Sequence, residues 1–143
     1  MKEPGRLIGL DVGQKRTGLA RTDPMRMFVA PVGTFSQEEV YREISRQIKH
    51  EGPVIGIVVG WPTTPQGGET NATALARGFV KQLRHDYPSV PVYTMDERYS
   101  SKEANQLLID AGVPQKKRRT KGRLDQAAAA HILQQFLDEN PDL

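Results

Sequence analysis

Along the chain of 143 residues, the spacing of apolar positions changes several times, and each change marks an element. "RLIGLDV", Arg6 to Val12, is a nearly continuous apolar run and reads as a buried strand. A short turn at "GQKRTG" leads to a return strand near Thr17 to Thr22. "MFVAPVGTF" reads as a third strand, so the chain opens as an antiparallel meander. In "SQEEVYREISRQIKHEG" the period becomes helical: Val40, Ile44 and Ile48 recur at i+4. Ser36 and Glu39 form a capping box at the start of that helix, and Gly52 marks its end. "VIGIVVG" is a short β-branched run expected of a strand covered on both faces, and "WPTTPQGGETN" is a loop rich in Pro, Gly and Thr.

The second half alternates. "ATALARGFVKQLRHDYP" is helical, with Leu75, Phe79 and Leu83 on one stripe, and "VPVYTMDE" is a strand that ends in acids. "SSKEANQLLIDAG" opens with a second capping box, Ser100 and Glu103, and closes at Gly112. A basic loop follows, and "RLDQAAAAHILQQFLDE" forms the last helix. The order βββαβαβαα predicts an α/β fold: three antiparallel strands, then parallel strands entered through βαβ crossovers, in one mixed sheet flanked by helices. That is the RNase H-like outline. With no internal repeat and no linker composition, residues 1–143 read as a single domain large enough to bury a core unaided.

Composition narrows the chemistry. There is no cysteine, which excludes disulfides, zinc thiolate sites and thiol nucleophiles and fits a reducing compartment. No apolar stretch approaches the ~18–20 residues of a membrane span, and the N-terminus lacks a signal-peptide pattern, so a soluble cytoplasmic protein is expected. The net charge is only +3, but "QKKRRTKGR" (Gln115 to Arg123) carries six Lys or Arg in nine positions without an acid. Such a run is either a solvated loop or a contact for a polyanion. No amphipathic apolar face accompanies it, which argues against a membrane partner.

Three acids fall at the ends of elements. Asp11 closes the first strand, Glu97 the last strand, and Asp125 opens the last helix. Ala128, Ala129, Ile132 and Phe136 follow Asp125 at helical spacing, so its position is aligned with the core-facing stripe. Period-2 alternation puts Tyr93, Met95 and Glu97 on one face and Thr94 and Asp96 on the other, so Asp11 is expected to converge with Glu97 or Asp96. Like charges ~4 Å apart repel by ~1 kcal/mol in water and ~4 kcal/mol at an effective dielectric of 20, so such a cluster needs a cation. With oxygen ligands only, Mg²⁺ or Mn²⁺ is the natural partner. Two such ions could activate water for phosphodiester cleavage, leaving 5′-phosphate and 3′-hydroxyl ends. Lys116, Lys117, Arg118, Arg119 and Lys121, immediately before Asp125, would draw in the backbone of a nucleic acid.

These stretches resemble the YqgF/RuvX family of RNase H-like nucleases. "IGLDVGQKRTGLA" is similar to the family's opening Asp-x-Gly-x-Lys-Arg-x-Gly signature. "VVGWPTTPQGGET" is similar to its strand and Gly-Pro loop, and "DERYSSKEA" with "KGRLDQAAAAHIL" to its two C-terminal motifs. The resemblance implies a metal-dependent nuclease that matures the 5′ end of pre-16S ribosomal RNA, on a ribosomal particle. A Holliday-junction resolvase acting on branched DNA is the alternative it implies. It makes Asp11, Glu97 and Asp125 the metal-binding acids and Lys15, Arg16 and Arg98 substrate contacts. Trp61 stands where an aliphatic residue is expected, and "TTPQ" replaces the usual loop residues.

Blander roles stand beside these. Asp11 could cap a turn, and Arg98 could be an ion-pair partner of the neighbouring acids. Trp61 is a base-stacking platform or packs under its own loop, while Thr63, Thr64 and Thr70 contact phosphate or form turns. His131 reads as surface or packing, and His50 and His85 as cations suited to helix ends. Two other classes compete with a nuclease. An actin-like ATPase needs two such domains around its nucleotide, and this chain supplies one. A binding module with a relic site has no use for clustered acids facing phosphate.

Overall fold

The first apolar run forms strand β1 (Arg6–Val12), paired antiparallel with β2 (Thr17–Thr22), which pairs antiparallel with β3 (Val29–Phe35). The computed structural model describes residues 2–64, 66–97 and 121–143, with 121–125 by backbone only. Helix α1 (Gln37–His50) crosses to β4 (Val54–Pro62), parallel to β1, and α2 (Asn71–Asp86) crosses to β5 (Val92–Glu97), parallel to β4. Helix α3 (Lys121–Glu139) completes the described residues. The strand order β3-β2-β1-β4-β5 is the mixed α/β sheet that the element order predicts.

Alternation along the central strands builds two cores. Ile8, Leu10, Val12, Leu19, Ile57 and Val59 point to one face, where Val40 and Ile44 of α1 and Ala76, Phe79, Val80 and Leu83 of α2 cover them. Leu7, Ala20, Val58 and Met95 point to the other, against Ala129, Ile132, Leu133 and Phe136 of α3. Burial on both sides is why β1 and β4 read as unbroken apolar runs. Helix α1 is capped as sequence implies, Ser36 and Glu39 bonding reciprocally, and Thr70 with Thr73, not foreseen as a cap, does the same for α2.

Helix α3 lies unusually close to the sheet. A Cβ on Gly9 of β1 would fall 2.9 Å from Leu133 Cβ and 3.1 Å from the Ala129 carbonyl oxygen. Its C-terminal half packs near the strand starts, where Phe136 meets Tyr93 with ring centroids 5.0 Å apart. Ile132, one turn earlier, reaches Gly60 near the end of β4. The helix therefore runs against the direction of β1, β4 and β5, and its first turns lead toward the edge where those strands end.

Boundaries differ from the sequence reading at three places. Strand β3 starts at Val29, not Met27, because Asp23 organises the preceding segment: its carboxylate accepts the backbone N–H groups of Met25, Met27 and Phe28 at 3.1, 2.7 and 2.7 Å. Arg26 in that segment has φ 58° and is buried, its guanidinium donating to the carbonyls of Glu3, Gly5 and Pro24. Strand β4 runs through Trp61 and Pro62, expected in a loop, because they pair in register with Asp96 and Glu97. Helix α3 begins at Lys121, inside what reads as a basic loop. The helix expected over Ser100 to Gly112 lies outside the described residues.

Candidate active site

Strands β1, β4 and β5 are mutually parallel, so their C-terminal ends lie at one edge of the sheet. Asp11 stands four residues after Leu7 and two after Gly9, on the face covered by α3. The β1–β4 register ends with Leu10 opposite Val59, which brings Asp11 beside Gly60. Gly60 pairs with Met95, and Pro62 with Glu97. From there the Glu97 side chain leans back over β4: its Oε2 lies 2.5 Å from where a Cβ of Gly60 would stand. Asp11 and Glu97 thus flank a position without a side chain, on the α3 face, and both are half-buried.

Of the two acids that end β5, Glu97 shares the face of Asp11. Asp96 points to the opposite face and accepts a hydrogen bond from Thr63 Oγ1 at 3.0 Å. Position 125 lies in the helical segment one turn before Ala129, the residue whose carbonyl approaches Gly9. The Asp125 side chain is outside the described residues, and among those described no three acids or histidines form a complete cation site. The donor set that is described fits a hard cation: carboxylate oxygens, with no sulfur and no nearby histidine pair, around a gap on β4.

Lys15 and Arg16 sit exposed in the turn directly beyond Asp11. That turn requires glycine at position 13, where a Cβ would be 2.5 Å from the Arg16 carbonyl oxygen. Arg98, Lys116, Lys117, Arg118 and Arg119 lie outside the described residues, and Lys121 is placed by its backbone as the first residue of α3. At the same edge, on the opposite side of the sheet, Gln14 and the first turns of α2 (Asn71, Ala72, Ala74 and Leu75) line an open hollow of about 430 Å³.

Several candidates have structural work. Trp61 packs on the core beneath α1 and α2, and the Arg77 guanidinium lies 5.4 Å from its ring centroid, so one face of the indole is already covered. Arg77 is also ion-paired with Glu69. Thr64 Oγ1 accepts the Gly68 N–H at 2.9 Å, Thr70 caps α2, and Thr73 Oγ1 donates to the Pro62 carbonyl. His50 and His85 are exposed in the last turns of α1 and α2, and His131 is half-buried on α3. Sequence reasoning passes over Gly60, the position over which the Glu97 carboxylate leans. Its signal was present, since a glycine inside a β-branched run marks close approach of another group.

Residues 5–139 match the family model described as "RuvX: Holliday junction resolvase". A protein from Chlorobium luteolum named "Putative pre-16S rRNA nuclease" is 44% identical over 140 residues, covering 98% of this chain and 99% of that one. Proteins of the same name from Salinibacter ruber and Porphyromonas gingivalis are 41% and 35% identical, covering 96% of this chain and 96% and 99% of theirs. Among solved structures, the fowlpox virus resolvase in complex with Holliday junction DNA superposes with a TM-score of 0.58 at 10% identity, covering 94% of this chain and 98% of that one. Thermus thermophilus RuvC with a Holliday junction substrate gives 0.50 at 18% identity, covering 95% and 96%. At these identities the structural likeness establishes the fold.

Proposed function

Because the chain belongs to the RuvX family, a family of nucleases, we propose that it hydrolyses phosphodiester bonds of precursor 16S ribosomal RNA with the help of a divalent cation. The observation that carries the RNA reading is near-full-length identity of 35–44% to proteins named for that activity, whereas the junction-bound resolvases share only the fold. The site carries the nuclease reading: two carboxylates on one face, at the edge where three parallel strands end, beside a basic turn.

In this reading Asp11 and Glu97 hold Mg²⁺ or Mn²⁺, with Asp125 of α3 as a third acid. Bound there, such a cation lowers the pKa of water and offsets charge on the scissile phosphate. The chain's own residues do the remainder. Asp11 and Glu97 supply anionic oxygens from two rigid strands, so the site costs little ordering on binding. Lys15 and Arg16 contact the phosphate backbone from the turn, and Arg98, Lys116, Lys117, Arg118, Arg119 and Lys121 extend the basic surface. Asp96 stays outside the site, committed to Thr63.

A cleavage assay tests this on three substrates: a pre-16S-like RNA, single-stranded DNA and a four-way DNA junction. Each is offered Mn²⁺, Mg²⁺ or EDTA, with Asp11→Asn alongside. Metal-dependent cleavage of the RNA alone, lost in the variant, is expected. Paired cuts in the junction would replace the RNA reading with a resolvase. Metal-indifferent binding without cleavage would reduce the protein to a binding module.

A further inference from the structure

We infer that Gly60 is a positioning residue for the cation site: its missing side chain is the space through which the Glu97 carboxylate reaches back toward Asp11. The inference deepens the metal-site reading above and rests on it. Along the α3 face of β4, Val58 is fully buried, and the next position on that face is Gly60. Strand β1 carries Asp11 beside this position, and from β5 Glu97, paired one step further on with Pro62, leans its carboxylate back over it. A Cβ there would stand 2.5 Å from Glu97 Oε2 and 2.6 Å from Ile132 Cδ1. Ordinary heavy-atom contact is about 3.5–4.0 Å, so both neighbours would have to move by about 1 Å.

The two neighbours can give way differently. Ile132 is fully buried and held among Leu7, Val58, Leu133 and Phe136, whereas the atom met on Glu97 is the far end of a half-buried side chain at the strand end. An added methyl group therefore displaces the carboxylate first, swinging it away from β1. Cation affinity falls steeply with misplacement of one ligand; loss of a single supporting group around a metal site typically costs 10–100-fold. Gly60 thus acts on the cation through Glu97, without touching it.

The test is Mn²⁺ binding, read from the paramagnetic resonance signal of free Mn²⁺, alongside thermal unfolding without metal. Gly60→Ala is expected to weaken Mn²⁺ binding at least tenfold. Two second variants separate positioning from packing. Gly60→Ala with Ile132→Val removes the buried clash and should restore unfolding temperature but not Mn²⁺ affinity. Gly60→Ala with Glu97→Asp shortens the carboxylate by one carbon and should recover Mn²⁺ affinity relative to Gly60→Ala. Wild-type affinity in Gly60→Ala, with Glu97→Gln strongly impaired, would overturn the role of Gly60 and leave the metal site intact. Mn²⁺ binding unchanged by both Glu97→Gln and Asp11→Asn would instead overturn the metal-site reading, and this inference with it. Recovery of affinity by Ile132→Val alone would reassign Gly60 to packing.

Discussion

Replacing Gly9 with alanine tests how α3 is seated. The new Cβ would stand 2.9 Å from Leu133 Cβ and 3.1 Å from the Ala129 carbonyl oxygen, both rigid parts of the helix. Reaching ordinary contact requires α3 to rise by about 0.6 Å or more. Such overpacking costs about 1–3 kcal/mol, and removing a strand glycine returns about 0.4–1 kcal/mol through the unfolded chain. The net expectation is a loss of about 1–2 kcal/mol. At about 2.1 cal/mol/K per residue, unfolding entropy for 143 residues is about 0.3 kcal/mol/K, so Tm should drop by about 3–7 °C. Gly78→Ala is the matched control, since Gly78 is an exposed position in the middle of α2 and nothing lies within 4 Å of its added Cβ. The same methyl group there should raise stability by about 0.5–1 kcal/mol. Circular dichroism melts of both variants at neutral pH suffice. A Gly9→Ala protein as stable as wild type would refute the close seating of α3.

Other outcomes follow from the same geometry. Asp11→Asn should reduce cleavage of pre-16S-like RNA by at least a hundredfold while changing RNA affinity in EDTA less than threefold, measured by filter binding; equal losses in both would make Asp11 structural. Replacing Lys15 and Arg16 together with alanine should lower the log–log salt slope of single-stranded RNA binding by about 1.4, at about 0.7 for each lost phosphate contact. Burial works to raise the Asp23 pKa, but the N–H donors of Phe28, Met25 and Met27 together outweigh it and hold the carboxyl below its usual 3.8. A folded pKa below the unfolded one stabilises above the unfolded value and is lost as pH falls through the folded value. Asp23→Ala should therefore destabilise the protein at pH 7, with the difference from wild type narrowing as pH falls below about 3.8 in urea titrations.

Most of the fold was legible in the order of residues because its signals are local. The ends of β1 and β2, the Ser36–Glu39 cap and the apolar stripe of α2 each depend on residues within a few positions of one another. Most of what failed was decided by partners distant in sequence, and the miss at Met27 and Phe28 by a local turn that propensity does not reveal. Trp61 and Pro62 read as loop because proline and threonine cluster there, yet pairing with Asp96 and Glu97 extends β4 through them. Met27 and Phe28 read as strand by propensity, but three backbone bonds to Asp23 take that segment out of the ladder. Trp61 admits two readings by sequence, and only the fold brings Arg77, sixteen residues away, over its ring.

For the site, sequence by itself determined which atoms are available: acids at the ends of elements, no thiol, a basic turn beside Asp11, and hence oxygen chemistry suited to a hard cation. Alternation also limited β5 to one of two adjacent acids, because successive side chains point to opposite faces. It could not say which of those faces carries Asp11, since that depends on the sheet order and register that bring β1, β4 and β5 side by side. The tertiary structure alone places Glu97, and not Asp96, on the face that carries Asp11, with Gly60 leaving room beneath the Glu97 carboxylate. Chemical identity is written residue by residue, but proximity between Asp11 and Glu97, 86 positions apart, exists only after the strands between them have paired.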